Sequence, residues 1–330
     1  MGKKLNIDIW RFIVSFLIVA IHISPFDKIS PEFDFFFTRI LGRIAVPLFL
    51  MITGYYILDK SLNDVKILKD YTKKILKIYF LCILLYLPIN IYMRKFASIN
   101  FIQIVKDILI NGTLYHLWYF PALILGIWIT YFLIKKMSKK WCFSIISILY
   151  LIGLLGDSYY GLTSINNTLS SIYRFIFHIF EYTRNGLFYT PIFIYMGYVI
   201  KKYKIKNKCS LISIFILFSC MTMEGMILHH YNLQKHDSMY IFLIPLMYFL
   251  FTYLMSHSKK SNKRIRSMAT IIYISHPLFI VAIRFVSGML GIENILVENN
   301  LILYLIVCTL TTIFAHFFEK AKGLVANGKH

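Results

Sequence analysis

Long apolar segments recur along the whole chain, and they constrain its fold more than any other feature of the sequence. Segments of about 17–25 apolar residues are long enough to cross a bilayer as helices, and the pattern predicts ten of them. They lie at residues 9–25, 36–58, 75–93, 117–134, 141–156, 186–200, 209–228, 239–256, 268–287 and 300–318. Polar and apolar residues do not alternate steadily within them, which argues against strands. The predicted fold class is therefore all-α, a polytopic membrane helix bundle with about ten transmembrane helices.

Basic residues are unevenly distributed between the segments that connect these spans. The chain has 36 Lys and Arg, 15 Asp and Glu and a net charge of +21, although 58% of its residues are hydrophobic. With a cytoplasmic N-terminus, 25 of the 36 basic residues fall in inside segments and nine in outside segments. Because cytoplasmic loops of membrane proteins are enriched in Lys and Arg, we predict that both termini are cytoplasmic. The excess charge then reflects orientation in lipid rather than binding to nucleic acid.

The first predicted span carries a stripe of charged and titratable residues. On a helix, Arg11 and His22 are about 20° apart, and Asp8 is about 40° from His22. Ionisable groups inside a membrane mark function or a structural pairing. Asp8 and Arg11 are one turn apart and can pair, whereas His22 lies roughly 16 Å further along the helix than Arg11. His22 can act as a general base near neutral pH, or it is a packing histidine bonded to a neighbouring carbonyl group.

Further charged residues have both a functional and a structural interpretation. Arg43 lies within the second span and needs an anion or a carboxylate as its partner. Lys73, Lys74 and Lys77 begin the third span, where they either set its orientation or hold phosphates as point charges. Glu224 in the seventh span lines a cavity or is paired, since a lone carboxylate in lipid is unfavourable.

Aromatic and polar residues cluster where two spans begin on the predicted outer side. His116, Trp118 and Tyr119 start the fourth span, and Arg184 precedes the sixth. They are candidate substrate contacts, although aromatic residues at such positions also form the interfacial belt. Thr53, near the end of the second span, adds a hydroxyl group.

Metal sites are not indicated by the sequence. The five cysteines lack C-x-x-C spacing, so neither a zinc site nor a disulfide framework is predicted. His229 and His230, with His236 and Asp237 nearby, imitate a metal cluster. Adjacent histidines point apart on a helix, however, so we expect no metal.

Taken in order, the motifs resemble those of the acyltransferase-3 family of bacterial membrane acyltransferases. The matching segments are Asp8-x-x-Arg11-x10-His22, Val46-Pro47-Leu48-Phe49, Thr53-Gly54-Tyr55, His116-Leu117-Trp118-Tyr119 and Tyr273-x-x-His276-Pro277. The resemblance covers nearly the whole chain and implies one transmembrane domain over residues 1–330, in a multi-pass protein of the bacterial plasma membrane. It also implies an enzyme that moves an acyl group, expected to be acetyl, from cytoplasmic acyl-CoA to an acceptor on the outer side. The acceptor would be a hydroxyl or amine on a small molecule or a cell-envelope component.

The resemblance also implies roles for individual residues. His22 would be the catalytic base or a transient acyl carrier, and Asp8 would support it or pair with Arg11. Arg11, Arg43 and the three lysines would bind acyl-CoA, the only cofactor-like ligand expected. The family's usual basic pair is Lys74-x-x-Lys77 here, which keeps charge attraction but loses the bidentate geometry of arginine. The substrate-binding residues would be Thr53, His116, Trp118, Tyr119, Arg184 and Glu224.

A narrower similarity supplies the alternative function. Residues 184–188 (Arg-Asn-Gly-Leu-Phe) and 191–193 (Pro-Ile-Phe) look like the membrane part of vancomycin-resistance serine racemases. In those proteins a cytoplasmic pyridoxal-phosphate racemase domain follows, so such a domain is expected only after residue 330, and no pyridoxal phosphate is expected within these residues. The alternative is thus an L-serine uptake module, while a scaffolding anchor would leave the polar stripe unexplained. The sequence leaves homo-oligomerisation open.

Overall fold

The computed structural model describes residues 7–94, 100–205, 211–257 and 261–327, which are helical apart from turns and loops and contain no strand. The predicted all-α class is therefore confirmed. The main helices in these ranges are α1 (Ile7–Ile23), α2 (Pro31–Asn63), α3 (Val65–Tyr92), α4 (Phe101–Lys106, continued by π turns over Asp107–Asn111), α5 (Tyr119–Lys136), α6 (Lys139–Leu155), α7 (Asn167–Ile179), α8 (Thr190–Lys202), α9 (Leu211–His230), α10 (Leu243–Ser256), α11 (Lys263–Leu290) and α12 (Asn300–Asn327). Two short helical turns, Tyr160–Ile165 and Glu293–Leu296, lie in the connecting segments.

Each of the ten predicted spans overlaps a helix, but only some of these helices have the length and apolar composition to cross a membrane. Six in the described ranges do: α2, α3, α5, α9, α11 and α12. Helices α1 and α6 have 17 residues each, α10 has 14 and α8 has 13. The count of ten spans and the cytoplasmic placement of both termini therefore remain predictions. Some residues on which the sequence predictions rest lie outside the described ranges. They are the lysines counted for orientation (Lys3, Lys4, Lys95, Lys206, Lys208, Lys259, Lys260 and Lys329) and Cys209.

Local capping explains where several helices begin and end. Asp64 caps α3 by accepting a hydrogen bond from the Lys66 amide at 2.8 Å. Asn262 caps α11, because its side chain accepts from two amides of the first turn. Such caps satisfy amide groups that have no partner within the helix. Gly291 ends α11 with φ of +66°, a left-handed conformation that glycine adopts at little cost.

The chain forms two compact units, and the first comprises Met1–Val46 and Tyr253–His330. Here α1, α11 and α12 bury a shared apolar core. Its members are Val19, Ile23, Ile272, Ile280, Leu303, Val307 and Ala315. The Tyr304 hydroxyl donates to the Phe16 carbonyl oxygen at 3.3 Å, which ties α12 to α1. These contacts fix the position of the residues that follow Phe16 along α1.

The second unit comprises Pro47–Thr252, and glycines bring two of its helices unusually close. A Cβ atom added at Gly54 would lie 2.0 Å from the Ile194 carbonyl oxygen, and one at Gly197 would lie 2.0 Å from the Met51 carbonyl oxygen. Small residues at such interfaces let helix backbones approach each other. The contact between α2 and α8 therefore requires glycine at both positions.

Candidate functional site

Two histidines meet in the first unit. The His22 ring, in the last turn of α1, stacks on the His276 ring of α11 with 5.3 Å between ring centroids and 19° between ring planes. His276 is fully buried, and its Nδ1 lies 3.2 Å from the Ile272 carbonyl oxygen. Because a carbonyl oxygen only accepts, this hydrogen bond places the proton on Nδ1 and leaves Nε2 with a lone pair. The predicted catalytic residue thus lies against a second imidazole.

Ser275, which directly precedes His276 in the chain, adds a buried hydroxyl group. Ser275 is buried, and its Oγ has no hydrogen-bond partner within the described residues. Buried hydroxyl groups nearly always have a hydrogen-bond partner, so Ser275 is an unusual feature of this part of α11. The Tyr273 ring lies 6.2 Å from the His276 ring. The motif Tyr273-x-x-His276 therefore brings the Tyr273 ring near the second imidazole, and the buried Ser275 precedes that imidazole directly in the chain.

Asp8 is engaged at the opposite end of α1 from His22. Its Oδ2 accepts hydrogen bonds from the Ser261 hydroxyl at 2.7 Å and from the Asn262 amide at 2.8 Å. Its Oδ1 pairs with Arg11 Nη1 at 3.3 Å. The predicted Asp8–Arg11 pair is thus present. Since about 21 Å of helix rise separates Asp8 from His22, these contacts give Asp8 a positioning role at the start of α11 rather than direct support of His22.

Arg43 is buried close to the part of α1 that carries His22. Gly42 packs so tightly on α1 that an added Cβ would lie 2.9 Å from the Ile21 side chain. This contact brings the neighbouring residues Arg43 and His22 into the same region of the first unit. Arg43 is 8% exposed, and its Nε has no hydrogen-bond partner within the described ranges. A buried guanidinium nitrogen of this kind is suited to an anionic ligand.

The three lysines of the predicted phosphate site lie on α3 in the second unit. Lys73, Lys74 and Lys77 are all exposed. Their spacing of three and four residues places Lys77 on the same helix face as the other two. They therefore present a concentrated positive surface that can attract a polyanion.

Arg184 and Trp118, both predicted from the sequence, come together in the second unit. The Arg184 guanidinium carbon lies 5.3 Å from the Trp118 ring centroid and 4.5 Å from that of Tyr182. Arg184 Nη1 also donates to the Ser238 hydroxyl at 3.2 Å. The Tyr182 ring lies 4.6 Å from the His236 ring. We call these five residues the arginine cluster; it combines a cation, aromatic faces and hydroxyl groups, which suits a carboxylate or a sugar-like acceptor.

Two buried carboxylates hold the segment that supplies Ser238 to this cluster. Asp157 Oδ1 accepts from the Ser238 amide at 2.6 Å and the Met239 amide at 2.9 Å. Glu224 accepts from the Ile241 amide at 2.6 Å, the Phe242 amide at 3.0 Å and the Tyr159 hydroxyl at 2.8 Å. The predicted substrate residue Glu224 therefore has a clear structural function, which is to fix the entry to α10.

The remaining predicted substrate residues are placed outside the arginine cluster. His116 is buried and meets Tyr86 edge-on at 5.0 Å. The Thr53 hydroxyl lies 3.1 Å from the Phe49 carbonyl oxygen and 3.3 Å from the Tyr71 hydroxyl. Tyr119 packs beside Phe120 at the start of α5. A substrate role for these three residues stays a prediction.

Burial shifts the pKa values of groups in the loops around the arginine cluster. It raises the pKa of Tyr159, and the hydrogen bond to Glu224 raises it further. Burial likewise raises the pKa of Tyr182. Burial lowers the pKa of Lys235, whose Nζ lies 3.4 Å from the Phe177 ring centroid. The tyrosines therefore stay protonated hydrogen-bond donors at neutral pH.

Several residues of these arrangements were not among the predicted site residues. His276 was part of a motif, but the sequence carried no sign that it meets His22. Asp157, Tyr182 and Ser238 gave no motif at all. One signal in the sequence could have indicated Asp157. It directly follows Gly156 at the end of a predicted span, and a carboxylate in such an apolar setting needs hydrogen-bond partners.

Comparison with known proteins yields one family and several relatives. Residues 4–319 match a family model described as an acyltransferase domain. An "amino-acid racemase" of Enterococcus faecalis is 40% identical over 316 residues, which cover 94% of this chain and 44% of that protein. A "serine/alanine racemase" of Enterococcus gallinarum is 36% identical over 329 residues, covering 97% of this chain and 46% of that protein. The chain thus spans less than half the length of these relatives, and no solved structure matches it.

Proposed function

The chain belongs to the acyltransferase-3 family of membrane proteins. We propose that it transfers an acyl group, expected to be acetyl, from cytoplasmic acyl-CoA to a hydroxyl or amine acceptor at the outer side. The observation that carries the proposal is the stacked pair of His22 and His276. The half-buried His22 ring, stacked on the fully buried His276 ring, provides a base among apolar helices, where an acceptor proton has few other destinations.

In the proposed reaction, His22 takes the proton of the acceptor hydroxyl or amine. The acceptor atom then forms a bond to the thioester carbonyl carbon, the carbon–sulfur bond breaks, and the proton leaves with the CoA thiol. The same net transfer results if His22 is an acyl carrier. Its ring nitrogen then attacks the thioester carbonyl carbon first and releases the CoA thiol, and the acceptor attacks the acylated His22 second. His276 orients the His22 ring by stacking, and its position is fixed by the hydrogen bond to Ile272.

Acyl-CoA carries phosphates, and the chain offers cations for them. Arg43 is buried with an unsatisfied Nε, and Lys73, Lys74 and Lys77 are exposed. The lysines suit diffuse attraction of the nucleotide end, while the planar guanidinium of Arg43 suits direct phosphate contact. Arg11 is already paired with Asp8, so its contribution to donor binding is expected to be smaller.

The test measures release of CoA and transfer of radiolabelled acetyl by the purified protein in lipid nanodiscs. His22→Ala should reduce turnover by at least about 100-fold, the usual scale for a lost general base. His316→Ala, which removes an exposed histidine of α12, is the matched control and should leave turnover unchanged. Unchanged turnover in folded His22→Ala would rule out the proposed base or carrier.

A second candidate is L-serine uptake, and the relatives give a specific reason to consider it. Their names describe racemases, one of them a serine/alanine racemase, and this chain covers only 44–46% of their lengths. The arginine cluster offers a cation for an amino-acid carboxylate. Radiolabelled L-serine flux into proteoliposomes, without CoA release in the same preparation, would favour uptake over acyl transfer.

A further inference from the structure

An apolar cavity opens between three helices of the second unit. It has a volume of about 590 Å³ and lies between α6, α8 and α10. Its apolar walls are formed by Phe143, Tyr195, Met196, Val199, Tyr248 and Phe249. A space of this size, with walls of this composition, suits a small apolar ligand or one chain of a lipid.

Two lysines line the same cavity and give it positive charge. Lys139 and Lys140 form the first turn of α6 and are both exposed. The Lys139 ammonium lies 4.1 Å from the Tyr203 ring centroid at the end of α8, which holds it in place. Within the described ranges, no ion pair joins either lysine to an acidic side chain. The cavity therefore has apolar walls and a fixed positive charge at one end.

An exposed tryptophan indicates the depth of these lysines. Trp141 follows Lys140 directly and is 68% exposed. Tryptophan is enriched at the level of the lipid headgroups, where its ring has one apolar and one polar side. The lysines would therefore lie at the headgroup level, with the apolar walls extending toward the acyl chains. Basic pockets between membrane helices bind anionic headgroups.

From this arrangement we propose that the cavity binds an anionic phospholipid. One acyl chain lies along Phe143, Met196 and Val199, and the phosphate group lies between the ammonium groups of Lys139 and Lys140. The site contains none of the residues proposed for acyl transfer, so its occupant is a lipid bound in addition to the reacting substrates.

The test titrates delipidated protein in detergent with phosphatidylglycerol or with phosphatidylcholine of the same chain length, and native mass spectrometry counts bound lipids. Phosphatidylglycerol should bind at least about 10-fold more tightly than phosphatidylcholine. The double variant Lys139→Ala/Lys140→Ala should bind phosphatidylglycerol about 10- to 30-fold more weakly, because each lysine near an anionic lipid contributes about 1 kcal/mol.

Two further variants separate the cavity from general surface charge. Lys135→Ala/Lys136→Ala removes the same charge from the end of α5, outside the cavity lining, and should change binding less than about twofold. Val199→Trp should weaken the binding of both lipids, because the larger side chain fills the cavity. Equal affinity for the two lipids, or an equal loss in the two lysine variants, would overturn the proposal. Displacement of phosphatidylglycerol by acyl-CoA at comparable concentration would also overturn it, since the cavity would then belong to the acyl donor.

Discussion

At the scale of single residues, buried polar groups are divided between chemistry and support. His22 and His276 face each other as two imidazoles, whereas Asp8, Asp157 and Glu224 accept hydrogen bonds from backbone amides. A carboxylate that accepts amide protons is satisfied in an apolar setting and stabilises the loop that provides them. The hydrogen-bond partners, rather than the residue type, therefore distinguish a catalytic candidate from a structural one.

Asp8 permits a direct test of this distinction. Asp8→Ala removes the acceptor for Ser261 and Asn262 and should lower the stability of the protein by about 2–4 kcal/mol, as expected for loss of a buried charged partner. Thermal unfolding in detergent measures the loss, and the exposed Asp70→Ala on α3 serves as control. Turnover per folded molecule should fall less than about tenfold. A stable but inactive Asp8→Ala protein would instead assign Asp8 to the chemistry.

Arg184 is expected to act on the acceptor or on serine through its planar shape. Arg184→Lys keeps the charge but loses the stacking on Trp118 and Tyr182 and the fixed donor to Ser238, because lysine is a flexible point charge. We expect KM for the acceptor to rise about tenfold or more, at about 1.4 kcal/mol per factor of ten. CoA release without acceptor should not change. An unaltered acceptor KM would show that the cluster is structural only.

At the scale of elements, close helix contacts depend on small residues and on capping. The backbones of α2 and α8 approach so closely at Gly54 and Gly197 that no side chain fits there. In a membrane, helices associate through such packing and through hydrogen bonds, since lipid provides little hydrophobic drive. Irregular turns within α2, including π turns over Gly54–Leu58, adjust the path of the helix beside this contact.

Gly54→Ala and Gly197→Ala should each separate α2 from α8. The added Cβ would lie 2.0 Å from a carbonyl oxygen, and backbone must move to relieve such a contact. We expect a loss of about 2 kcal/mol or more, typical of overpacking, seen as lower yield of monodisperse protein and earlier thermal unfolding. Gly323→Ala on α12, where an added Cβ meets nothing within 4 Å, should be neutral or slightly stabilising because alanine favours helices. Equal effects at all three sites would contradict this account.

At the scale of the whole molecule, membrane topology is the main open prediction. Six helices in the described ranges are long and apolar enough to span a bilayer, whereas the apolar segments of the sequence predict ten spans. Helix α6 is a useful test because its 17 residues extend about 26 Å, slightly less than the hydrocarbon thickness of about 30 Å. Its flanking Trp141 and lysines would compensate for a small mismatch.

Cysteine labelling in intact cells can test whether α6 crosses the membrane. Ser138→Cys precedes α6 on the predicted cytoplasmic side, and Ser164→Cys follows it on the predicted outer side; both serines are exposed. In a background without native cysteines, a membrane-impermeant maleimide should label Ser164→Cys directly and Ser138→Cys only after permeabilisation. Labelling of both positions in intact cells would show that α6 does not cross the membrane. Direct labelling of Ser138→Cys, with Ser164→Cys labelled only after permeabilisation, would show the opposite orientation.

Features that depend on local composition and on the order of motifs could be read from the amino-acid sequence. Apolar runs of sufficient length predicted the helices, because an apolar segment must satisfy its backbone hydrogen bonds internally within lipid. The spacing from Asp8 through Arg11 to His22, followed by the later motifs, indicated the family that the match over residues 4–319 confirms. The Asp8–Arg11 pair was also predictable, since both residues lie one turn apart on one helix.

Contacts between residues that are distant in the sequence depend instead on how the helices pack. The stacking of His22 on His276, the hydrogen bonds from the Asn262 segment to Asp8 and the enclosure of Arg184 by Trp118 and Tyr182 all join separate helices and loops. Periodicity fixes the face of a helix on which a residue lies, but not the partner that covers this face. The partner depends on the packing of neighbouring helices, which glycines such as Gly42 and Gly54 allow at close range. For this reason the sequence indicated His22 as the candidate catalytic residue, and the fold alone placed His276 beside it.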